Sequence, residues 1–150
     1  MATAKRTRTI AASPEEIWEL VADPHHMPRW WPGVKRMENV ERERWTQVFM
    51  TKRGRPVRMD FHLLESEPPE SGAEGSARRV WEQELAGTPF ERVLREAITE
   101  VHLEPLDDGT RVTIALRQKL RGYSRTGGLL LRRATSKKLD EALDGLAEIV

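Results

Sequence analysis

Four polar side chains stand in stretches whose alternating apolar and polar residues read as strands: Arg58 and His62 in 57–66, Arg79 in 77–86, and Arg92 in 91–105. A guanidinium aimed into an interior can hold a carbonyl oxygen as it becomes an oxyanion, and an imidazole can move a proton. These four are the candidates for catalysis. Arg58 and His62 share strand parity, but a single bulge exchanges the faces of a strand, so alternation leaves open which of the four point inward. The aromatic residues Trp30, Trp31, Trp45, Phe49, Phe61, Trp81, Phe90 and Tyr123 can line an apolar ligand pocket, with indole and phenol groups as donors. Trp30 and Trp31 are placed at the pocket mouth, because Pro28 and Pro32-Gly33 bracket them in a bend.

Other chemistries find no support. His25 and His26 are adjacent, so in a helical turn they point apart by about 100°. His62 and His102 fall on different strands, which leaves no convergent ligand set, and neither metal nor cofactor is expected. The acid pairs Glu15/Glu16 and Glu82/Glu84 suit cap and strand-face roles; acid–base work would need one member buried. The sequence contains no HExxH, GxSxG, GxGxxG or Walker motif. It also has no cysteine, which excludes disulfides and thiolate nucleophiles.

A chain of 150 residues suits one domain over 1–150, long enough to bury a core without staples. Hydrophobic residues make up 38% and charged residues 33%, and the net charge is only +1, so disorder is disfavoured. The charges are unevenly placed. No acid occurs between Gly109 and Lys138, where Arg111, Arg117, Lys119, Arg121, Arg125, Arg132, Arg133, Lys137 and Lys138 accumulate. A nucleic-acid binder would show a net basic domain, so nucleic acid is not an expected partner. No apolar run approaches the roughly 20 residues of a membrane span, and MATAKRTRTI lacks the apolar core of a signal peptide. A cytoplasmic location is therefore expected.

The elements that must position these residues are legible from periodicity. Residues 4–11 read as an edge strand. Ser13-Pro14-Glu15-Glu16 spells a capped helix start, followed by Ile17, Leu20 and Val21 on one side. Asp23-Pro24 ends that helix and opens a second short turn through about Arg29. Period two then governs 34–41, 44–52, 57–66, 77–86, 91–105 and 110–120, with Asp108-Gly109 the strongest hairpin signal. After a loop through Gly122 and Gly127-Gly128, period 3.6 returns: Leu131, Thr135, Leu139, Ala142, Leu143, Leu146 and Ile149 form one stripe. Strands with segregated helices are the α+β pattern.

The order of elements resembles the helix-grip fold of the START-like, birch-allergen-like superfamily, and the residues are similar to its polyketide cyclase/dehydrase (SRPBCC) branch. The resemblance is carried by Ile10–Trp18, Val21-Ala22-Asp23-Pro24, Met27–Val34, Gly87-Thr88-Pro89-Phe90, Leu103-Glu104-Pro105, Asp108–Thr113 and Leu139–Leu143. It implies a curved antiparallel sheet of six or seven strands wrapped around a long C-terminal helix, with two short helices after the first strand. For function it implies binding of a small apolar or amphipathic molecule (a lipid, quinone or polyketide) in a cavity between sheet and C-terminal helix. The alternatives are a polyketide cyclase or dehydratase that uses cavity shape and inward donors, and a protein-interaction module using the basic 111–138 region. None of the family's catalytic residues falls in a motif that transfers to this sequence. An exposed strand edge at 4–11 or 57–66 would make a homodimer possible.

Overall fold

The computed structural model describes residues 2–70, 73–122 and 125–150. The chain runs β1 (Ala2–Ile10), α1 (Pro14–Val21), a 3-10 turn (Pro24–His26), α2 (Met27–Trp30), β2 (Val34–Glu38), β3 (Arg44–Met50), β4 (Pro56–Glu67), β5 (Ala77–Gln83), β6 (Leu94–Leu106), β7 (Gly109–Leu120) and α3 (Arg125–Ile149). The seven strands form one antiparallel sheet in the order β1-β7-β6-β5-β4-β3-β2. This is the expected helix-grip architecture: hairpin succession from β2 to β7, β1 added beside β7, and a long helix closing the chain.

Local chemistry explains the element ends. Ser13 Oγ accepts from the Glu16 backbone N–H at 3.2 Å and caps α1, with Pro14 in the first turn. Asp23 accepts from the His25 N–H at 3.0 Å and caps the following turn. Gly109 closes the β6–β7 hairpin with φ +152°, and a Cβ there would collide with the Ile10 carbonyl oxygen. That residue must be glycine for β1 to pass so close. Beside it the buried Thr110 hydroxyl donates to the Ala12 carbonyl at 2.7 Å, tying the start of β7 to the end of β1.

One face of the sheet is apolar. Leu103 and Val101 of β6 lie opposite Val112 and Ile114 of β7, and Ala77 and Trp81 of β5 continue the same face. Against it pack Leu139, Ala142, Leu143 and Leu146 of α3, all essentially inaccessible to solvent. Arg6 and Arg8 of β1 reach Asp140 and Asp144 of α3. Two residues of strand advance about 6.8 Å and four of helix about 6 Å, so the spacings match and α3 runs parallel to β1. Each exposed pair is worth about 1 kcal/mol at most, so the pairs orient more than they stabilise.

Three expectations change. The loop expected through Gly127-Gly128 is shorter, because α3 begins at Arg125; Gly128 continues the three-and-four spacing that leads to Leu131 and Thr135. Arg92 lies in a 3-10 turn (Pro89–Arg92) and not in a strand, since β6 starts at Leu94. Residues 57–66 are no sheet edge. β4 lies between β3 and β5, and the short β2 takes the edge opposite β1.

Helix and core meet closely at one position. A Cβ on Gly145 would sit 2.6 Å from the Trp30 carbonyl oxygen and 2.9 Å from its Cα, so α3 rests directly on the α2 backbone. Gly145→Ala is expected to lower unfolding free energy by about 1–3 kcal/mol through overpacking. Gly128→Ala, where an added Cβ meets nothing within 4 Å, should instead gain about 0.5–1 kcal/mol from helix propensity. Denaturant melts of the two variants against the parent check both signs.

Candidate functional site

The site begins with a bulge in β4. Leu63 pairs with Trp81, but Glu65 pairs with Val80 and Ser66 with Arg79, so one extra residue is absorbed between Leu63 and Glu65. Beyond that point the strand's faces exchange. Ser66 turns to the side of Leu63, and Glu65 turns to the opposite, convex face, where it meets Arg78.

Arg79 is the inward member of the four candidate polar residues. It is 5% exposed, its Nη1 donates to Ser66 Oγ at 3.1 Å, and its guanidinium lies 5.5 Å from the Trp45 ring centroid. Among the described residues no carboxylate comes within ion-pair distance of it. Loss of hydration pulls its pKa down to about 10, and the charge of Asp23 offsets part of that fall. A buried cation held by a hydroxyl and a π-face is an acceptor-seeking group.

Arg79 also lines a cleft of ≈840 Å³. The walls come from Ala22–His25, from the β2–β3 turn at Val40–Glu43, and from Leu63–Ser66 and Pro68 beside β4. Val40, Leu63, Leu64, Pro24 and Pro68 supply apolar surface, while Asp23, Glu41 and Glu43 bring acidic residues to the wall. Glu65 borders it from the strand, with its carboxylate turned away to Arg78. No residue of α3 lines this cleft. This cleft lies beside the α1–α2 connection, and the C-terminal half of α3 is packed onto the sheet.

Asp23 fixes that connection. Its Oδ1 meets the His25 ring at 2.9 Å, and Oδ2 lies 3.7 Å from His26 Nε2. The two histidines, expected to point apart, thus share one carboxylate. Partial burial works against the Asp23 charge, but the His25 backbone and ring outweigh it and hold the pKa below the usual carboxylate value. Among the described residues, no group of three or more His, Asp or Glu is arranged to hold a metal ion.

The other candidates lie elsewhere. Arg58 is on the convex face, paired with Glu38 at 2.9 Å. His62 is on the same face, 3.1 Å from Glu82 and 3.5 Å from Glu84, which also binds Arg44. Arg92 is exposed in its turn. Trp30, Trp31, Trp81, Trp45 and Phe61 form a continuous buried aromatic chain, with successive centroids 5.5 to 6.4 Å apart. Trp30 and Trp31 sit in the core and line none of the cleft. Phe49 is half-buried under the Lys138 ammonium, 5.8 Å away. Phe90 belongs to a separate small cluster with Leu85, Leu94 and Ala97. Tyr123 lies outside the described residues.

Ser66 carries no signal in the sequence, because nothing in the alternation of β4 marks it. Asp23 reads there only as a cap, although Asp23-Pro24 is a visible signal at one corner of the cleft. The aromatic chain also carries buried donors. Trp30 Nε1, Trp45 Nε1 and Gln83 Nε2 have no hydrogen-bond partner among the described residues, and Gln83 faces Phe61 across the sheet.

Comparison with known proteins agrees with this architecture. No curated protein shows significant sequence similarity to the chain. Among solved structures, a START superfamily protein from Mycobacterium smegmatis aligns over 100% of this chain and 97% of its own, at 16% identity and TM-score 0.72. The di-domain ARO/CYC BexL of the BE-7585A biosynthetic pathway aligns over 99% of this chain at 24% identity and TM-score 0.77. This chain covers 46% of BexL. TTHA0849 from Thermus thermophilus aligns over 97% of this chain and 94% of its own, at 23% identity and TM-score 0.68. At these identities the likeness is one of fold. The model of the polyketide cyclase/dehydrase and lipid transport family matches residues 1–150, the whole chain, and the protein belongs to that family.

Proposed function

We propose that the chain binds a small amphipathic molecule whose polar end carries a carbonyl, enol, phenol or single carboxylic acid, seated in the ≈840 Å³ cleft against Arg79. The observation that carries this reading is the buried guanidinium, which among the described residues has no carboxylate within ion-pair distance. An arginine taken out of water without a counter-charge is destabilising, and a ligand oxygen is the partner that would relieve it. The acidic wall residues set the limit on ligand charge. Asp23, Glu41 and Glu43 repel a phosphate or a dianion, yet tolerate a neutral or singly charged oxygen function that Arg79 meets. The apolar wall offers the rest of the molecule a surface to bury.

The same guanidinium favours a second reading, cyclisation of a poly-ketone chain. As an enolate attacks a second carbonyl, negative charge grows on that carbonyl's oxygen. A donor already aimed at it, in a site shielded from water, stabilises the transition state more than the ground state. Arg79 would hold that oxygen and Ser66 would hold Arg79, while the cleft walls impose the fold of the chain. In support of either reading stand the family, which joins cyclases and lipid transport in one description, and the di-domain ARO/CYC among the structural neighbours.

Titration of tryptophan fluorescence with a panel of aromatic ketones, phenols and carboxylic acids tests the reading, because Trp45 reports on Arg79. Arg79→Met is expected to lose affinity about tenfold or more, yet to melt no lower than the parent, since a buried unpaired charge is replaced by an apolar side chain of similar length. Arg79→Lys should retain part of the binding. Unchanged affinities in Arg79→Met across the panel would remove the cleft from the function. Arg58→Met, on the convex face, should change neither melting nor binding by more than about 0.5 kcal/mol.

A further inference from the structure

The cations of the described residues fall into two populations. Arg6, Arg8, Arg36, Arg44, Arg58, Arg78, Arg111 and Lys119 each meet a carboxylate. Among those that meet none within the described residues are Lys52, Arg53, Arg55, Arg132, Arg133 and Lys137. These six share one end of the molecule. Lys52, Arg53 and Arg55 form the β3–β4 turn, closed by Met50 opposite Pro56. The Thr135 hydroxyl meets Gln118 at 3.3 Å, and Gln118 pairs with Ala2 at the start of β1. The turns of α3 before Thr135 therefore stand at the same end as the β3–β4 turn, and Lys138 over Phe49 joins the two.

The exposed apolar residues gather there too. Of the six exposed large hydrophobic residues among those described, four belong to this end: Met50, Val93, Leu129 and Leu130 at 40%, 55%, 51% and 59% exposure. The Val93 carbonyl accepts from the Arg121 N–H at 2.9 Å just past β7, which fixes its place. Leu130, Arg133 and Lys137 follow at three- and four-residue spacing on the outward side of α3, away from the buried Thr135 and Leu139. Acids are scarce: the chain has none in 44–59 or 109–138. The nearby Glu91 and Glu96 are engaged by the Gly87 N–H and by Lys119.

We propose that this end of the molecule docks on an anionic lipid bilayer. Unpaired cations around projecting leucines, with no acid among them, are the complement of a negatively charged surface with an apolar interior. Among the described residues no helix is long and apolar enough to cross a membrane, so the contact is one of surface docking. A nucleic acid is a poorer match, because none of the four exposed apolar residues offers a ring for bases to stack on. The cleft lies at the other end of the sheet, beside the start of β3 and the end of β4, so a docked molecule keeps it turned to the aqueous side.

Co-sedimentation of the full chain with phosphatidylcholine vesicles, with and without phosphatidylserine, tests this independently of ligand binding. The parent is expected to sediment with the serine-containing vesicles alone and to be released by salt. Arg53→Glu/Arg55→Glu and Arg133→Glu/Lys137→Glu should each weaken partitioning, by about fivefold or more for every cation lost. Leu129→Asn/Leu130→Asn should weaken it at unchanged melting temperature, and Arg111→Glu, at the other end, should leave it intact. No sedimentation of the parent, equal sedimentation with both vesicle types, or capture by a short RNA duplex or an acidic protein in place of vesicles would overturn the proposal.

Discussion

A seven-stranded sheet presents more apolar surface than one helix can cover, and the molecule follows from how that surface is shared. α3 covers the side formed by β1 and β7, and the direct seat of Gly145 on the Trp30 backbone sets how far it can reach. α1 covers part of β5 and β6, and α2 covers β2. Beside the α1–α2 connection, the start of β3, the end of β4 and Arg79 of β5 border the cleft. The aromatic chain that begins at Trp30 under α3 reaches this cation through Trp45. The cleft is a consequence of incomplete cover, and its location is decided by where the short helices stop.

Charge is arranged with the same economy. Most ion pairs lie on the convex face or along the β1–α3 seam, where they orient exposed strands and contribute little else. Arg79 and the basic end near the β3–β4 turn are left outside that scheme, one buried at the cleft, the other open to solvent. A net charge of +1 conceals both. The two regions sit at opposite ends of the sheet, so a ligand in the cleft and a surface at the far end can be engaged together.

Much of the fold was legible in the sequence, because its signals are local. Ser13-Pro14-Glu15-Glu16 carries its own cap, Asp108-Gly109 its own turn, and Leu139 to Leu146 its own stripe. The site was less legible, because its geometry depends on register and depth. Arg58 and Arg79 look alike in sequence, yet one is paired on the convex face and the other buried. Trp30 and Trp31 sit in a proline-bracketed bend that suggests a rim, but α3 closes over α2 and makes them core. The start of β6 at Leu94 similarly removes Arg92 from the sheet, which no periodicity within 91–105 announces.

The irregularity in β4 has a consequence that reaches beyond shape. In a straight strand continuing the pairing of Leu63 with Trp81, the residue opposite Arg79 would be Glu65. A carboxylate would then lie against the buried guanidinium, and the arginine would be satisfied within its own chain. The inserted residue turns Glu65 outward to Arg78 and leaves a hydroxyl in its place. One residue of backbone slack thereby converts what would have been an internal salt, chemically closed, into an open valence.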